Sequence, residues 1–378
     1  EQKVQGRVLE VLTGVCDGRS ITVSSGTYTL ENVDAKQSLT SGSENIGNFV
    51  KVNGSVINYK PPPGTRQVIY EYTVHLNKLA ITHPIGLWKL FVDSTEVTNF
   101  RSNTSADHLS VQQTFMYVFE IGGTNNIANG KLSSWDTLKT IKLEASGWHS
   151  NHSVDLHETS YWIYSDISTR NGGDLSPPKL KVQAIGEENL VYNLTNQYSI
   201  TEGQTLETLA GVCDGRTVTV SSGTYTFGNV TAEYDPPRTS WGNPPNMGIS
   251  YKPPPGTKQV VYKIKIYQTY KDTADIYLKY KLYIDGVGVD DSVYADCTER
   301  WIMMYQEFTY IIRIGEGNDP SNGKFSSWDS LKLLETRVTD YGSADSWERY
   351  LHSSMLDDGV TSTLDTTIYR FQNLRAGK

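Results

Sequence analysis

One stretch of this chain occurs twice, and it constrains everything else. Residues 14–29 read GVCDGRSITVSSGTYT and residues 211–226 read GVCDGRTVTVSSGTYT, identical at 14 of 16 positions. The two exchanges, Ser20 for Thr217 and Ile21 for Val218, keep chemistry and shape. Two further blocks return in the same order: YKPPPGTRQVIY (59–70) as YKPPPGTKQVVY (251–262), and GKLSSWDTLK (130–139) as GKFSSWDSLK (323–332). The offset runs 197, 192, 193, so the repeat is a whole domain in size and far too long for a solenoid unit. The expected organisation is a first unit over 1–188, a linker over 189–202 and a homologous second unit over 203–378.

Within a unit the pattern is that of short strands closed by Gly and Pro turns. After the Pro triplets, Val68, Tyr70, Tyr72, Val74 and Leu76 alternate with Glu71, Thr73 and His75, and Val260, Tyr262, Ile264 and Ile266 alternate with Lys263 and Lys265. Period two with one apolar face predicts a half-buried antiparallel strand, and three prolines that cannot donate ladder hydrogen bonds fix its start. Trp88, Leu90 and Val92 predict a second strand; Phe115, Tyr117, Phe119 and Ile121 predict a third, each with a counterpart in the other unit. The SSWD blocks predict a short capped helical turn with Ser134 or Ser327 as cap. About eight strands per unit and no long helical pattern give an all-β chain, a tandem duplication of an antiparallel β-sandwich. Pairing order is open at this point; among eight-stranded sandwiches of this size the jelly roll is the expectation. Burial of Trp88, Tyr70 and Phe119 should match that of Tyr280, Tyr262 and Ile312.

The loops between these strands diverge. Residues 34–56 are rich in Ser, Gly and Asn, whereas 231–248 is five residues shorter and carries Pro236, Pro237, Pro244, Pro245 and Trp241. Loops that differ on a shared scaffold are where partner contacts are expected, with Trp241 a candidate for stacking on a glycan.

The chemistry expected from the residues is structural. In Cys16-Asp17-Gly18-Arg19 and its copy Cys213-Asp214-Gly215-Arg216, Gly supplies a positive-φ turn, Asp bonds following amides and Arg pairs with an acid. Cys16 and Cys213 read as small buried side chains; with Cys297 they make three, which is no disulfide framework and fits folding in a reducing compartment. His149, His152 and His157 with Asp155 and Glu158 resemble metal ligands, but His149 and His152 lie three apart without a helical pattern and only His157 has an equivalent, His352. Asp285, Asp290 and Asp291 around Gly286 lack the terminal bidentate acid of a calcium loop and read as a polar turn. No repeated pair of carboxylates suits glycoside hydrolysis. Neither metal nor cofactor is expected, and chelator treatment should leave the melting temperature unchanged in a thermal scan. Sequons stand at Asn53, Asn103, Asn151, Asn193 and Asn229. A net charge of −8 without a basic run argues against nucleic acid, and no apolar run reaches the roughly 18 residues of a membrane span. No signal peptide is read.

The blocks GVCDGRxxTVSSGTYT and YxPPxGTxQVxY and the KLxxD strand resemble jelly-roll modules of virion structural proteins from large double-stranded DNA viruses of algae and other marine hosts. The resemblance covers nearly all of both units. It implies a non-enzymatic capsid, minor-capsid, penton or fibre role in a virion assembled in the host cytoplasm, with itself and other capsid proteins as partners. The two halves here are more alike than those of major capsid proteins. Two like units in tandem further suggest a homotrimer presenting six sandwiches about a pseudo-sixfold axis, with a fibre-like or pentameric assembly as the alternative. The competing expectation is an extracellular or cell-surface adhesin that binds glycans through trimeric tumour-necrosis-factor-like modules.

Overall fold

The computed structural model describes residues 2–39, 49–77, 85–105, 111–147, 154–159, 174–190, 205–238, 240–271, 276–298, 303–340, 348–354, 363–364 and 368–374. These residues are overwhelmingly strand; the helical pieces among them are three single 3₁₀ turns. The first half contributes β1 (Gln2–Val15), β2 (Ile57–Tyr59), β3 (Thr65–Asn77), β4 (Ile85–Val92), β5 (Thr95–Ser105), β6 (Val111–Ile121), β7 (Lys139–Gly147) and β8 (Lys179–Leu190). The second half contributes β9 (Thr205–Val212), β10 (Ile249–Tyr251), β11 (Gln259–Lys271), β12 (Ile276–Ile284), β13 (Tyr294–Thr298), β14 (Met303–Ile314), β15 (Lys332–Asp340) and β16 (Ile368–Leu374).

Pairing among these sixteen is antiparallel throughout, in the orders β1-β8-β3-β6 and β2-β7-β4-β5. The second half repeats them as β9-β16-β11-β14 and β10-β15-β12-β13. Counting strands from one to eight, both halves read 1-8-3-6 and 2-7-4-5, the two sheets of a jelly roll. Among the described residues a single pairing, Met303 with Ser105, joins a sheet of one half to a sheet of the other.

The alternation seen in the sequence sets the register. Tyr70, Tyr72 and Val74 point inward from β3 while Glu71 and Thr73 stay half-exposed, and a slip of one residue would exchange the two sets. Trp88, Tyr70 and Phe119 are buried, as are Tyr280, Tyr262 and Ile312. The many tyrosines bury their rings and spend their hydroxyls inside: Tyr70 donates to the Ser55 carbonyl (2.6 Å), Tyr72 to that of Asn53 (2.7 Å) and Tyr280 to Gln268 Oε1 (2.5 Å). The Asp285-Gly286 turn is polar and structural, because Asp285 Oδ1 accepts the Leu333 N–H (2.8 Å) and Lys332 pairs with Oδ2 (3.1 Å). Asp93 does the same for Thr140 and Lys139.

The SSWD blocks are not helical turns. The single-turn 3₁₀ pieces Ile127–Asn129 and Pro320–Asn322 lie just before them, and residues 133–136 run without helical hydrogen bonds. Trp135 and Trp328 decide the matter. Each ring is buried, and each indole N–H donates to a β2 or β10 carbonyl, Tyr59 at 3.0 Å and Tyr251 at 3.1 Å. An anchor of that size outweighs a local capping preference.

Candidate functional site

The repeated corner has the same construction in both halves. After β1 the chain turns through Asp17-Gly18-Arg19 and forms a hairpin of Ser20–Val23 with Gly26–Thr29; after β9 the pair is Thr217–Val220 with Gly223–Thr226. Gly18 and Gly215 hold φ of 83° and 81°, a region costly for any residue with a Cβ. Asp17 Oδ1 accepts both the backbone N–H (3.2 Å) and Nε (2.8 Å) of Arg19, and Oδ2 accepts Nη2 at 2.5 Å. Asp214 and Arg216 repeat this at 3.2, 2.8 and 2.7 Å. The acid that pairs with each arginine is thus the motif's own aspartate, and the Arg19 hydrogen bond pulls the Asp17 carboxyl down to about 2. Cys16 Sγ donates to the Gly54 carbonyl, and burial, helped by Glu31 and Asp17, pushes its thiol up to about 12; burial raises Cys213 as well. Both cysteines are protonated, small and inert.

A second repeated device fastens the hairpin to the sandwich. The Glu10 carboxylate accepts Ser24 Oγ (2.6 Å), the Ser25 N–H (2.7 Å), Ser25 Oγ (2.6 Å) and the Tyr59 hydroxyl (2.9 Å). Glu207 accepts Ser221 Oγ, the Ser222 N–H, Ser222 Oγ and the Tyr251 hydroxyl at 2.5, 2.7, 2.7 and 2.8 Å. Burial would raise the Glu10 carboxyl, but the serine and tyrosine hydrogen bonds outweigh it and hold it below the ordinary value. Tyr28 and Tyr225 complete the set, each bonding its Ser25 or Ser222 and a carbonyl of the Pro-rich block, Lys60 or Lys252. Sequence reasoning missed Glu10 and Glu207. The signal was an acid at the same offset of 197 inside an otherwise apolar lead-in, LEVL at 9–12 and LETL at 206–209.

The two corners differ in what surrounds them. The Arg19 side chain is 50% exposed and that of Arg216 is 1% exposed. Arg216 is seated in the first half: Nη1 donates to the Val118 carbonyl (3.2 Å) and lies 3.5 Å from Glu120, and Nη2 donates to the Asn129 carbonyl (3.3 Å). Gln67 Nε2 donates to the Ala210 carbonyl (2.8 Å), the Tyr267 hydroxyl to that of Asn103 (2.8 Å), and Lys265 Nζ to that of Thr114. Ala210, Val212, Tyr267 and Tyr305 belong to the apolar core of the first half. Gly6 on β1 holds a φ of 79°, and a Cβ there would stand 2.9 Å from Val220 Cγ1, so the close approach of the halves needs glycine. A cleft of about 290 Å³ remains at the rim of this joint, between Arg66, Glu120 and Thr219.

Trp241 does not project freely. Its loop lies along β15, with Gly242 and Val338 exchanging backbone hydrogen bonds (2.8 and 3.0 Å) and the Asp340 N–H donating to Pro237 (3.0 Å). The half-buried ring sits 6.5 Å from Tyr283, with Lys281 Nζ 6.0 Å above it, and the Arg337 guanidinium lies 4.0 Å over Tyr283. Of the sequons, Asn229 is exposed, Asn53 half-buried and Asn103 buried, while Asn151 and Asn193 lie outside the described residues. No helix among the described residues is long and apolar enough to cross a membrane.

His149 and His152 also lie outside the described residues. Asp155 accepts from Ser38 and Glu158 faces Lys36 at 3.7 Å; no three His, Cys, Asp or Glu side chains converge on one point among the described residues. His157 and its equivalent His352 are both fully buried, at φ of 68° and 66°, with their backbone N–H groups donating to the carbonyls of His75 and Tyr267. Burial lowers both imidazoles to about 4, with Glu31 opposing it slightly at His157. Because the folded value lies below the unfolded one, the stability is complete above pH 6.5 and is lost as pH falls towards 4. Each ring accounts for about 3 kcal/mol over that window. A His157→Asn/His352→Asn variant, asparagine being tolerant of this backbone region, is expected to flatten that acid limb in urea unfolding; a limb of unchanged slope would reject the assignment.

No family model matches the chain, and no curated protein does. Solved structures align over most of its length at low similarity. The ANXUR2 extracellular domain from Arabidopsis thaliana is 8% identical over 97% of this chain and 98% of its own, with a TM-score of 0.22. The infectious bursal disease virus Gx strain structure is 9% identical over 99% and 76%, at 0.21. The N-terminal CBM22-1-CBM22-2 tandem domain from Paenibacillus barcinonensis Xyn10C is 11% identical over 99% and 99%, at 0.17. Scores this low place the chain with none of them; what is established is an all-β protein of antiparallel sheets with jelly-roll strand order.

Proposed function

We propose that this protein is a non-enzymatic structural protein of a virion, which builds or decorates an icosahedral shell as a homotrimer in company with other capsid proteins. The observation that carries the reading is the joint: a corner found twice in the sequence is used once, in the second half, to seat one sandwich on the next. A module that docks on its own kind is what a shell needs. The motif resemblance points the same way, and the repeated polar clusters are engaged with one another in roles of support. The domain division at 189–202 belongs to this proposal. Mass spectrometry of purified particles from the native source tests it. The protein should persist at a fixed ratio to other capsid components after nuclease treatment and washing; its absence from particles rejects the reading.

A specific observation favours a second reading. Trp241 and Tyr283, flanked by Lys281, Arg337 and the Asn243–Glu335 hydrogen bond (2.7 Å), form a half-buried aromatic platform suited to stacking on a sugar. Binding on a glycan array that is abolished by Trp241→Ala would support an extracellular adhesin instead.

A further inference from the structure

The internal joint has two sides, and each side has a twin elsewhere in the chain. On the docking side, β9 and its hairpin bury Thr208, Val218, Val220 and Arg216. Their twins Val11, Ile21, Val23 and Arg19 are exposed or half-exposed; Val11 is 42% exposed where Thr208 is fully buried. On the receiving side, the outer face of β3 and β6 buries Gln67, Ile69, Met116 and Val118. Their twins Gln259, Val261, Thr309 and Ile311 on β11 and β14 are half-exposed or exposed; Ile311 is 47% exposed where Val118 is fully buried. The chain therefore carries one joint made and, at the first-half corner and at this part of the β11–β14 face, both halves of the same joint presented; further along that face Lys265, Tyr267 and Tyr305 are already taken by the first half.

We propose that a second copy of this chain repeats the joint, its first-half corner docking on the outer face of β11 and β14. The occupant follows from the seat: the equivalent face already holds a sandwich with the same corner. Gln259 keeps the side chain with which Gln67 reaches the Ala210 carbonyl, and its counterpart target is the Thr13 carbonyl. Arg19 would take the Ile311 and Asn322 carbonyls as Arg216 takes those of Val118 and Asn129; in the uncovered copy the Tyr310 hydroxyl lies on Asn322 at 3.3 Å. One charge changes sign: Arg313 stands where Glu120 faces Arg216. Arg313 has Glu316 beside it at 3.8 Å, a position held by Gly123 in the first half, and Asp17 would be its partner across the new contact. The internal contacts of Lys265 and Tyr267 also have no like replacement, since Thr73 and His75 stand at those places, so the intermolecular joint is weaker than the internal one, and Arg313→Glu should tighten it.

A joint of this kind is heterologous, so copies close into a ring or extend. The proposal rests on the shell-building reading in that both need a self-associating chain. The test uses Arg19→Asp, which spoils the docking corner, and Ile311→Asp, which spoils the receiving face; both sites are on the surface and leave the internal joint intact. Light scattering after size exclusion at micromolar concentration should show an assembled wild type, two monomeric variants, and a discrete dimer when the variants are mixed in equal amounts, since the mixture holds one working pair of ends. Monomers only in the mixture, or a monomeric wild type, would overturn it. Variants that assemble like the wild type would also overturn this joint while leaving the shell-building reading, which particle composition decides separately.

Discussion

Replacing Arg216 with alanine is expected to cost about 3–5 kcal/mol of unfolding free energy, the loss typical when one member of a buried ion pair is removed. In the Ile311→Asp background, where no second copy covers the first-half corner, the same replacement at Arg19 should leave stability within error of its parent. The two side chains make the same bidentate contact with the aspartate two residues back, so the motif alone does not separate them. Surroundings do. Without Arg216, Asp214 stays behind in a half-buried site, Glu120 loses its cation, and the Val118 and Asn129 carbonyls lose a donor. Burial already raises the Glu120 carboxyl, with Arg216 the first influence opposing it, so Glu120 should protonate more readily in the variant. In that background water receives everything that Arg19 would leave. Urea unfolding followed by tryptophan fluorescence measures both variants; equal losses would mean that the motif acts within its own corner and that the joint adds nothing.

Replacing Glu207 with alanine should cost on the order of 4 kcal/mol, because four donors lose one acceptor at roughly 1 kcal/mol each even after partial rewetting. Glu10→Ala should behave alike, since Ser24, Ser25 and Tyr59 converge on it just as Ser221, Ser222 and Tyr251 converge on Glu207. Glutamine in either place is no rescue: its amide would present hydrogen atoms to hydroxyls that need an acceptor. The diagnostic is local. Amide exchange at Ser25 or Ser222, whose N–H groups lie 2.7 Å from the carboxylate, should accelerate before the rest of the sandwich does. If the hairpin stays protected while global stability falls, the carboxylate supports the sheet and does not fasten the corner.

How much of this was legible follows from range. The strand faces of β3 and β4 were readable because alternation is local, and each apolar residue from Val68 to Leu76 has its own neighbours as witnesses. The turn chemistry of Asp17-Gly18-Arg19 was readable for the same reason. The clamp was not, because Glu10, Ser25 and Tyr59 are ordinary residues until the fold brings them together. Trp135 misled in the opposite way: its serine neighbours suggest a cap, whereas its ring answers to a core that the local sequence does not show. The division of labour between Arg19 and Arg216 could not have been read at all. Six consecutive residues are identical in the two copies, and what differs is the sheet standing opposite.

The buried outer face of β3 and β6 also bears on how the chain comes off a ribosome. The first sandwich has all of its strands by Leu190, while the residues that cover Ile69, Met116 and Val118 begin at Thr205. For the interval between, a newly folded N-terminal half shows an apolar sheet with its lid still to be made. On a crowded polysome the lid could come from the neighbouring nascent chain, giving entwined partners in which each second half closes the other's first. Synthesis rate and chain density would then influence which species accumulates, and slowing translation after Leu190 should raise the yield of chains that close on themselves.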